Sequence, residues 1–559
     1  MKLFPKIISA GLALTFALTM PLSASAAKVE NAQTKANTES SLLAADFTVV
    51  GTTLESDSAL PSYYSSRDLN YVTGVRDQLF NTCWAYGSLA TLESTLLKDS
   101  VATEHFSTMH MNHWGTTRPD GTGWQRDYTN GGYSYISLAY LNSWQGPVLE
   151  SEYDEKMPFS EYLNFNSKGK EKVAVNSCIY LDTKDIETTK TALYNYGAVV
   201  GNYHVNDSYY NSSTKAYFCN LEGLTTAQLN GHCISIVGWD DNFSKENFRF
   251  GYQPENDGAW ICKNSWGETW GDGGYFYISY EDEYLFDTRF GHSYAFSDYE
   301  KFSNKKMLNQ NEIDGATYEF DYVTNYNSIT YINVFDTHEY KNLVEKVNFE
   351  TTAQGADYVI YSIPLDENNK PVKQQSRWTE LSSGTVEYCG YLSVDTKDFI
   401  AKDEKFAIGV QLTKKNGSTN TIGVSEWLTT GGRYIYIPNA KHGDSYIVGD
   451  NSAPIDLMDF YKSQLDDEIG GTFVIKAVSS DTALTGDVDL DDIISVMDVT
   501  YIQRYIANLT TFTDRQMYLA DSDGDGILSV FDATHIQMKL AGLLKDSVEF
   551  EDSDDFEEI

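Results

Sequence analysis

Gln78-Leu79-Phe80-Asn81-Thr82-Cys83-Trp84-Ala85-Tyr86 is the stretch that decides how this chain is read. The apolar spacing from Cys83 to Leu97 predicts a helix that opens at the cysteine, with Thr82 at its N-cap. A cysteine there sits at the positive end of the helix dipole, which favours the thiolate, the form that attacks a carbonyl carbon. A nucleophilic thiol also needs an imidazole to take its proton, a third group to orient that imidazole, and donors for the oxyanion.

All of these occur elsewhere in the chain. His232 lies in the strand-like run Gly231-His232-Cys233-Ile234-Ser235-Ile236-Val237-Gly238-Trp239. Asn264 lies in Trp260-Ile261-Cys262-Lys263-Asn264-Ser265-Trp266-Gly267-Glu268-Thr269-Trp270-Gly271, ahead of a second strand at Gly274-Tyr275-Phe276-Tyr277-Ile278. Gln78 has a side-chain amide able to donate to an oxyanion. Taken singly, a cysteine reads as a small buried hydrophobe, a histidine as structural, and Gly131-Gly132 as a turn. Their joint occurrence in this order outweighs those readings.

The elements Gln78…Cys83-Trp84-Ala85, Asn130-Gly131-Gly132, Gly231-His232-Cys233 and Asn264-Ser265-Trp266-Gly267…Trp270-Gly271…Gly274-Tyr275 resemble the papain family of cysteine peptidases over residues 60–295. The resemblance implies a helical half bearing the cysteine, a β half bearing His and Asn, and a cleft between them. It implies that Cys83 attacks and that His232 acts as base and then acid. Asn264 would orient His232, while Gln78 and the Cys83 backbone N–H would hold the oxyanion. Trp266 would shield the Asn–His hydrogen bond, and Gly131 and Gly132 would offer backbone to an extended substrate. Three departures stand out. Four residues separate Gln78 from Cys83, one fewer than in the family pattern, which bears on the placement of Gln78. Phe80 replaces the family's additional cysteine, so that disulfide is absent. Asn264 lies further along than usual, and an insertion around Phe243 to Asp257 accounts for it.

Outward from this core, residues 1–27 read as a signal peptide, with Lys2 and Lys6 before the apolar run Ile7–Leu22 and Ala24-Ser25-Ala26 at the cleavage site. Residues 28–59 are rich in Ser, Thr, Ala and Asn and read as a linker or short pro-segment, followed by a peptidase domain over 60–298. No other run is apolar enough to span a membrane. The net charge of −39 argues against nucleic acid or anionic lipid as partners. Hydrophobic content of 41% and aromatic content of 14% supply packed cores for several domains. Six cysteines are too few for disulfides to be the main staple of so long an exported chain, and their spacing fits no zinc site. Cys233 and Cys262 read as buried thiols, and a disulfide between Cys178 and Cys219 stays open.

Residues 301–480 carry short β-branched and aromatic runs between Asn, Asp, Gly and Lys clusters, the pattern of an antiparallel sandwich. By order and strand pattern this part resembles the lectin-like domain behind some bacterial papain-like peptidases, which implies a glycan partner or a purely structural role. Residues 485–545 repeat themselves. Asp487, Asp489, Asp491, Ser495 and Asp498 occupy positions 1, 3, 5, 9 and 12 of a loop, and Asp521, Asp523, Asp525, Ser529 and Asp532 repeat the spacing. With the carbonyls of Ile493 and Ile527 at position 7, these are the alternating oxygens that calcium requires, so two Ca²⁺ ions are expected. The duplicated loop and helix resemble a type I dockerin, which implies docking to a cohesin module of a scaffolding protein. Position 6 holds Gly526 in the second loop but Asp492 in the first, so the first is expected to be the weaker site. Residues 546–559 form an acidic tail.

The fold expected is thus multidomain: an α+β papain-like peptidase domain, an all-β sandwich and a small all-α calcium-binding dockerin. The expected function is a secreted cysteine endopeptidase acting on proteins or peptides, tethered through a cohesin to an extracellular, cellulosome-like complex. Two rivals are an inactive, glycan-binding adhesion module and a Cys-His amidase acting on cell-wall peptides.

Overall fold

The computed structural model describes residues 52–544 except 57–58, 119, 154–169, 183, 226–227, 287–290, 303–304, 312, 316, 321–325, 338–341, 402, 431–433, 450–451, 466–469, 481–484 and 492. The signal peptide, most of the 28–59 segment, the acidic tail and Asp492 lie outside the described residues.

The expected helix spans Cys83–Lys98 and is buried on nearly every side from Trp84 to Leu96. Its polar residues Ser88, Thr91 and Glu93 are buried too, and each is hydrogen-bonded inside, as buried polar groups must be. Thr82 occupies the N-cap position but does not cap: its hydroxyl donates back to the Leu79 carbonyl instead. The helix lies across the strand Gly231–Asp240, and Gly87 makes the contact possible. A Cβ at that glycine would sit 2.9 Å from the Cys233 sulfur and 3.2 Å from the Ile234 backbone.

Gly231–Asp240 pairs antiparallel with Val199–His204 on one side and with Ala259–Lys263 on the other, and Ala259–Lys263 pairs in turn with Tyr275–Ser279. His232 therefore stands near the start of one strand and Asn264 just past the end of its neighbour. Residues 243–257, where the sequence places an insertion, form a folded loop between these strands. It is pinned by the Phe243 ring stacked 4.3 Å from Tyr277.

The region that follows is a β-sandwich that also carries the helix Leu457–Leu465. Its six-stranded sheet centres on Ser328–Asp336 and Lys405–Thr413. Its other sheet does not end at the domain boundary. The strand Gly390–Ala401 pairs with Val173–Tyr180 of the N-terminal half, so a single 13-stranded sheet runs through both. Gly390 permits the junction: at φ 136° it occupies a region open to glycine, and any Cβ would lie 2.1 Å from the Cys178 carbonyl oxygen. Thr52, ahead of the N-terminal domain, lies in the same seam. Its N–H donates to Tyr180 O at 3.3 Å, and its hydroxyl accepts from Cys389 N at 2.9 Å.

All six cysteines are free thiols. The open Cys178–Cys219 disulfide is not formed, because the two residues sit in different hydrophobic clusters. The C-terminal repeat forms the helices Val496–Ile506, Asp514–Ala520 and Val530–Leu540 around a small core of Val488, Val499, Ile502, Ala520, Ala533 and Ile536. No helix among the described residues is long and apolar enough to cross a membrane.

Candidate active site

The His232 Nε2 lies 2.8 Å from Asn264 Oδ1. The same oxygen accepts from the Ser265 backbone N–H at 2.8 Å, which identifies it as the acceptor, so Nε2 must carry the proton. A neutral His232 then has its lone pair on Nδ1. The Trp266 ring covers the imidazole at 4.6 Å and Tyr203 meets it edge-on at 5.5 Å, leaving His232 and Asn264 buried.

The Cys83 thiol faces the backbone N–H groups of Cys233, Trp84 and Cys83. Burial raises the thiol above its ordinary value, and these donors only partly offset it. Burial also lowers His232 to about 4, against the raising pull of Asn264. Both shifts favour a neutral thiol–imidazole pair in the resting site. This burial opposes the thiolate that the helix dipole favours.

Gln78 reaches the site despite the short connection to Cys83. Its backbone N–H donates to Ser265 O at 2.8 Å, Asp77 bridges to Trp266, and the Ser265 hydroxyl donates to Gln78 Oε1 at 2.7 Å. With the oxygen so held, one amide proton goes to the Phe80 carbonyl at 3.0 Å, leaving the second for a ligand. The chain makes the tight turn by placing Phe80 at φ 55°, a left-handed conformation that a bulky residue rarely adopts. Beneath lies Glu93, fully buried in the Cys83–Lys98 helix. Burial alone would raise its pKa, but Arg76, His105 and Lys263 outweigh that and hold it at about 2. Because Arg76 precedes Gln78 and Lys263 precedes Asn264, this cluster ties both segments to the helix.

Gly132 lies against the residue after the thiol: a Cβ there would fall 2.6 Å from Trp84 Nε1. The carbonyl of Gly131 accepts from Arg126 Nε at 2.7 Å. Sequence reasoning missed Arg126, Ser265 and Tyr203. Ser265 stood inside a quoted motif without a role, whereas Arg126 and Tyr203 carry no local signal.

In the C-terminal repeat, carboxylate oxygens of Asp487, Asp489 and Asp498 lie within 4.8 Å of one another, as do those of Asp521, Asp523 and Asp532. Asp489 Oδ1 and Asp521 Oδ1 are buried without a hydrogen-bond partner, an arrangement that fits a cation. The remaining expected ligands are tied to these clusters through the backbone: Asp491 N–H donates to Asp487 Oδ1 at 3.1 Å, and the Ser495 and Ser529 N–H groups donate to Asp498 and Asp532 at 2.7 and 2.8 Å. Asp491 and Asp525 accept from the Ile493 and Ile527 N–H groups, and the Ser495 and Ser529 hydroxyls cap the following helices. Those acceptances come from the backbone N–H of Ile493 and Ile527, the residues whose carbonyls were expected at position 7.

A model of papain family cysteine proteases matches residues 60–294, and a model of lectin-like domains matches residues 309–479. The chain is 32% identical to the cysteine protease and lectin-like domains of Cwp84, a surface layer associated protein of Clostridium difficile. That match covers 77% of this chain and 90% of the other, with a TM-score of 0.66. The structure of the clostridial cysteine protease Cwp84 after propeptide cleavage is 31% identical, covers 75% of this chain and all of that one, and has a TM-score of 0.65. A viral cathepsin of Heliothis zea nuclear polyhedrosis virus is 28% identical over 220 residues, which is 39% of this chain and 52% of the relative. The cathepsin B-like cysteine proteinase 3 of Caenorhabditis elegans is 24% identical over 251 residues, which is 39% of this chain and 61% of the relative. The chain spans little more than half the length of these curated relatives.

Proposed function

Because the chain belongs to the papain family of cysteine proteases, joined to a lectin-like domain, we propose that it hydrolyses peptide bonds in proteins outside the cell. The observation that carries this reading is the Nε2–Oδ1 contact of 2.8 Å, which leaves His232 Nδ1 as the proton acceptor. In this reading His232 takes the Cys83 proton as sulfur attacks the acyl carbon, forming a tetrahedral oxyanion. The Cys83 backbone N–H, at the unpaired start of the helix, and the free proton of Gln78 Nε2 stabilise that charge. His232 then protonates the leaving amine, and water hydrolyses the thioester by the same route. The test is labelling with an epoxide thiol inhibitor, with the modified residue found by mass spectrometry and casein compared with peptidoglycan as substrate. Labelling of Cys83 with casein cleavage supports the proposal; cleavage of peptidoglycan alone assigns an amidase, and no labelling removes the nucleophile.

Gln78→Ala is expected to lower kcat by about 10²-fold, roughly 2.7 kcal/mol, as for loss of one oxyanion donor. An unchanged kcat would hand that role to another group.

The proposal extends to the C-terminal repeat, which we read as a calcium-loaded dockerin that tethers the enzyme to a cohesin-bearing surface complex. The residues that would hold the ions are Asp487, Asp489 and Asp498, and Asp521, Asp523 and Asp532; calcium would neutralise each cluster and order its loop. The two loops differ at position 4, where Leu490 adopts φ 65° and Gly524 φ 75°. A leucine pays about 1 kcal/mol in that region, whereas glycine does not. Leu490→Gly should therefore tighten calcium binding at the first loop about fivefold. Calorimetry on the whole chain reads this directly, and unchanged or weaker binding would rule out the strain argument.

A further inference from the structure

The Gly131 carbonyl is held by a buried side chain. Arg126 is 5% exposed, and its guanidinium donates to Gly131 O at 2.7 Å, Gly115 O at 2.8 Å and Asn112 Oδ1, with longer contacts to Asn112 O and Asn130 O at 3.4 Å. Its flat face lies 5.1 Å from the centre of the Trp84 ring, so the same group touches the residue beside the thiol and the loop expected to bind substrate backbone. Arg126 follows directly on the strand Gly123–Gln125, which pairs along its length with Tyr434–Ile437 of the lectin-like domain and bridges at Gly123 to Thr117 of the peptidase half. Trp124, fully buried, packs at 5.3 Å against Tyr436, whose hydroxyl donates to Ile313 O at 2.9 Å.

We propose that Arg126 is a positioning residue for peptide binding, and that the lectin-like domain holds it there through the Gly123–Gln125 strand. The idea rests on the peptidase reading above. A planar guanidinium satisfies three carbonyl-type oxygens in divergent directions at once, which a lysine ammonium does not reproduce. Without it the Gly131 carbonyl turns away and the extended substrate loses its backbone partner, while Cys83 and His232 keep theirs.

The experiment uses the whole chain and three readouts: kcat and KM on an extended peptide, alkylation of Cys83 by iodoacetamide, and circular dichroism. Arg126→Lys is expected to raise KM about tenfold, with kcat and the alkylation rate within about twofold of the parent. Tyr436→Leu, made in the lectin-like domain away from the cleft, is expected to raise KM in the same way, and it decides the matter should Arg126→Lys fail to fold. Unchanged KM in folded Tyr436→Leu overturns the clamp. A fall in kcat and alkylation together in folded Arg126→Lys places the residue with the nucleophile and also overturns it. A parent chain that is alkylated at Cys83 but cleaves no peptide removes the peptidase reading itself.

Discussion

Cys83→Ala is expected to lower kcat/KM on peptide substrates by at least about 10⁴-fold, close to 5.4 kcal/mol of transition-state stabilisation. The size follows from the chemistry. In the proposed mechanism sulfur forms the covalent bond, and the Cys83 thiol stands at the helix N-terminus facing the Cys233 N–H at the start of the His232 strand. The substitution removes one half-buried atom from the first residue of a helix whose burial begins at Trp84, so the fold is expected to stay intact. His232→Ala should cost about as much, and the double variant no more, because the two groups act as one unit. Steady-state kinetics on the three variants, with circular dichroism for the fold, provide the check. Activity within tenfold of the parent would overturn the assignment of Cys83.

The parts of this molecule that were legible in the sequence are those whose chemistry is local. The helix opening at Cys83, the paired strands around His232 and Asn264, and the duplicated Asp spacing at 487–498 and 521–532 each announce themselves within about a dozen residues. What was not legible depends on partners far along the chain. Nothing around Arg126 points to Gly131 O, and nothing in Gly123-Trp124-Gln125 tells that its strand partner is Tyr434–Ile437. The same holds for charge: a helix N-terminus is visible in the sequence, but the burial that raises Cys83 and lowers His232 to about 4 is made by the assembled walls. The sharing of a sheet between domains is equally hidden. A change in strand pattern near residue 300 reads as a separation, whereas the pairing of Gly390–Tyr391 with Cys178–Ile179 carries one sheet across it.

Lys476→Met is expected to destabilise both halves together by about 3–5 kcal/mol, the usual cost of stranding one member of a buried ion pair. Lys476 is fully buried on a strand of the lectin-like domain, yet its ammonium reaches into the peptidase half. It lies 2.7 Å from the Asp314 carboxylate and donates to Asn142 O at 2.9 Å and Ser143 Oγ at 3.1 Å. Asn142 ends the helix Ser134–Asn142, so its carbonyl belongs to the unsatisfied last turn, where a cation is favoured by the helix dipole. Methionine matches the length of the side chain but leaves Asp314, 1% exposed, charged with no cation. Pairing it with Asp314→Asn should recover most of the loss, because the stranded charge rather than the missing attraction dominates. Since whole domains have only about 5–15 kcal/mol in hand, the single variant should unfold well below the parent in denaturant. It should do so in one transition, because the shared sheet and this ion pair couple the halves. A loss under about 1 kcal/mol, or two separated transitions in the parent, would mean that the seam is only a contact between independent domains.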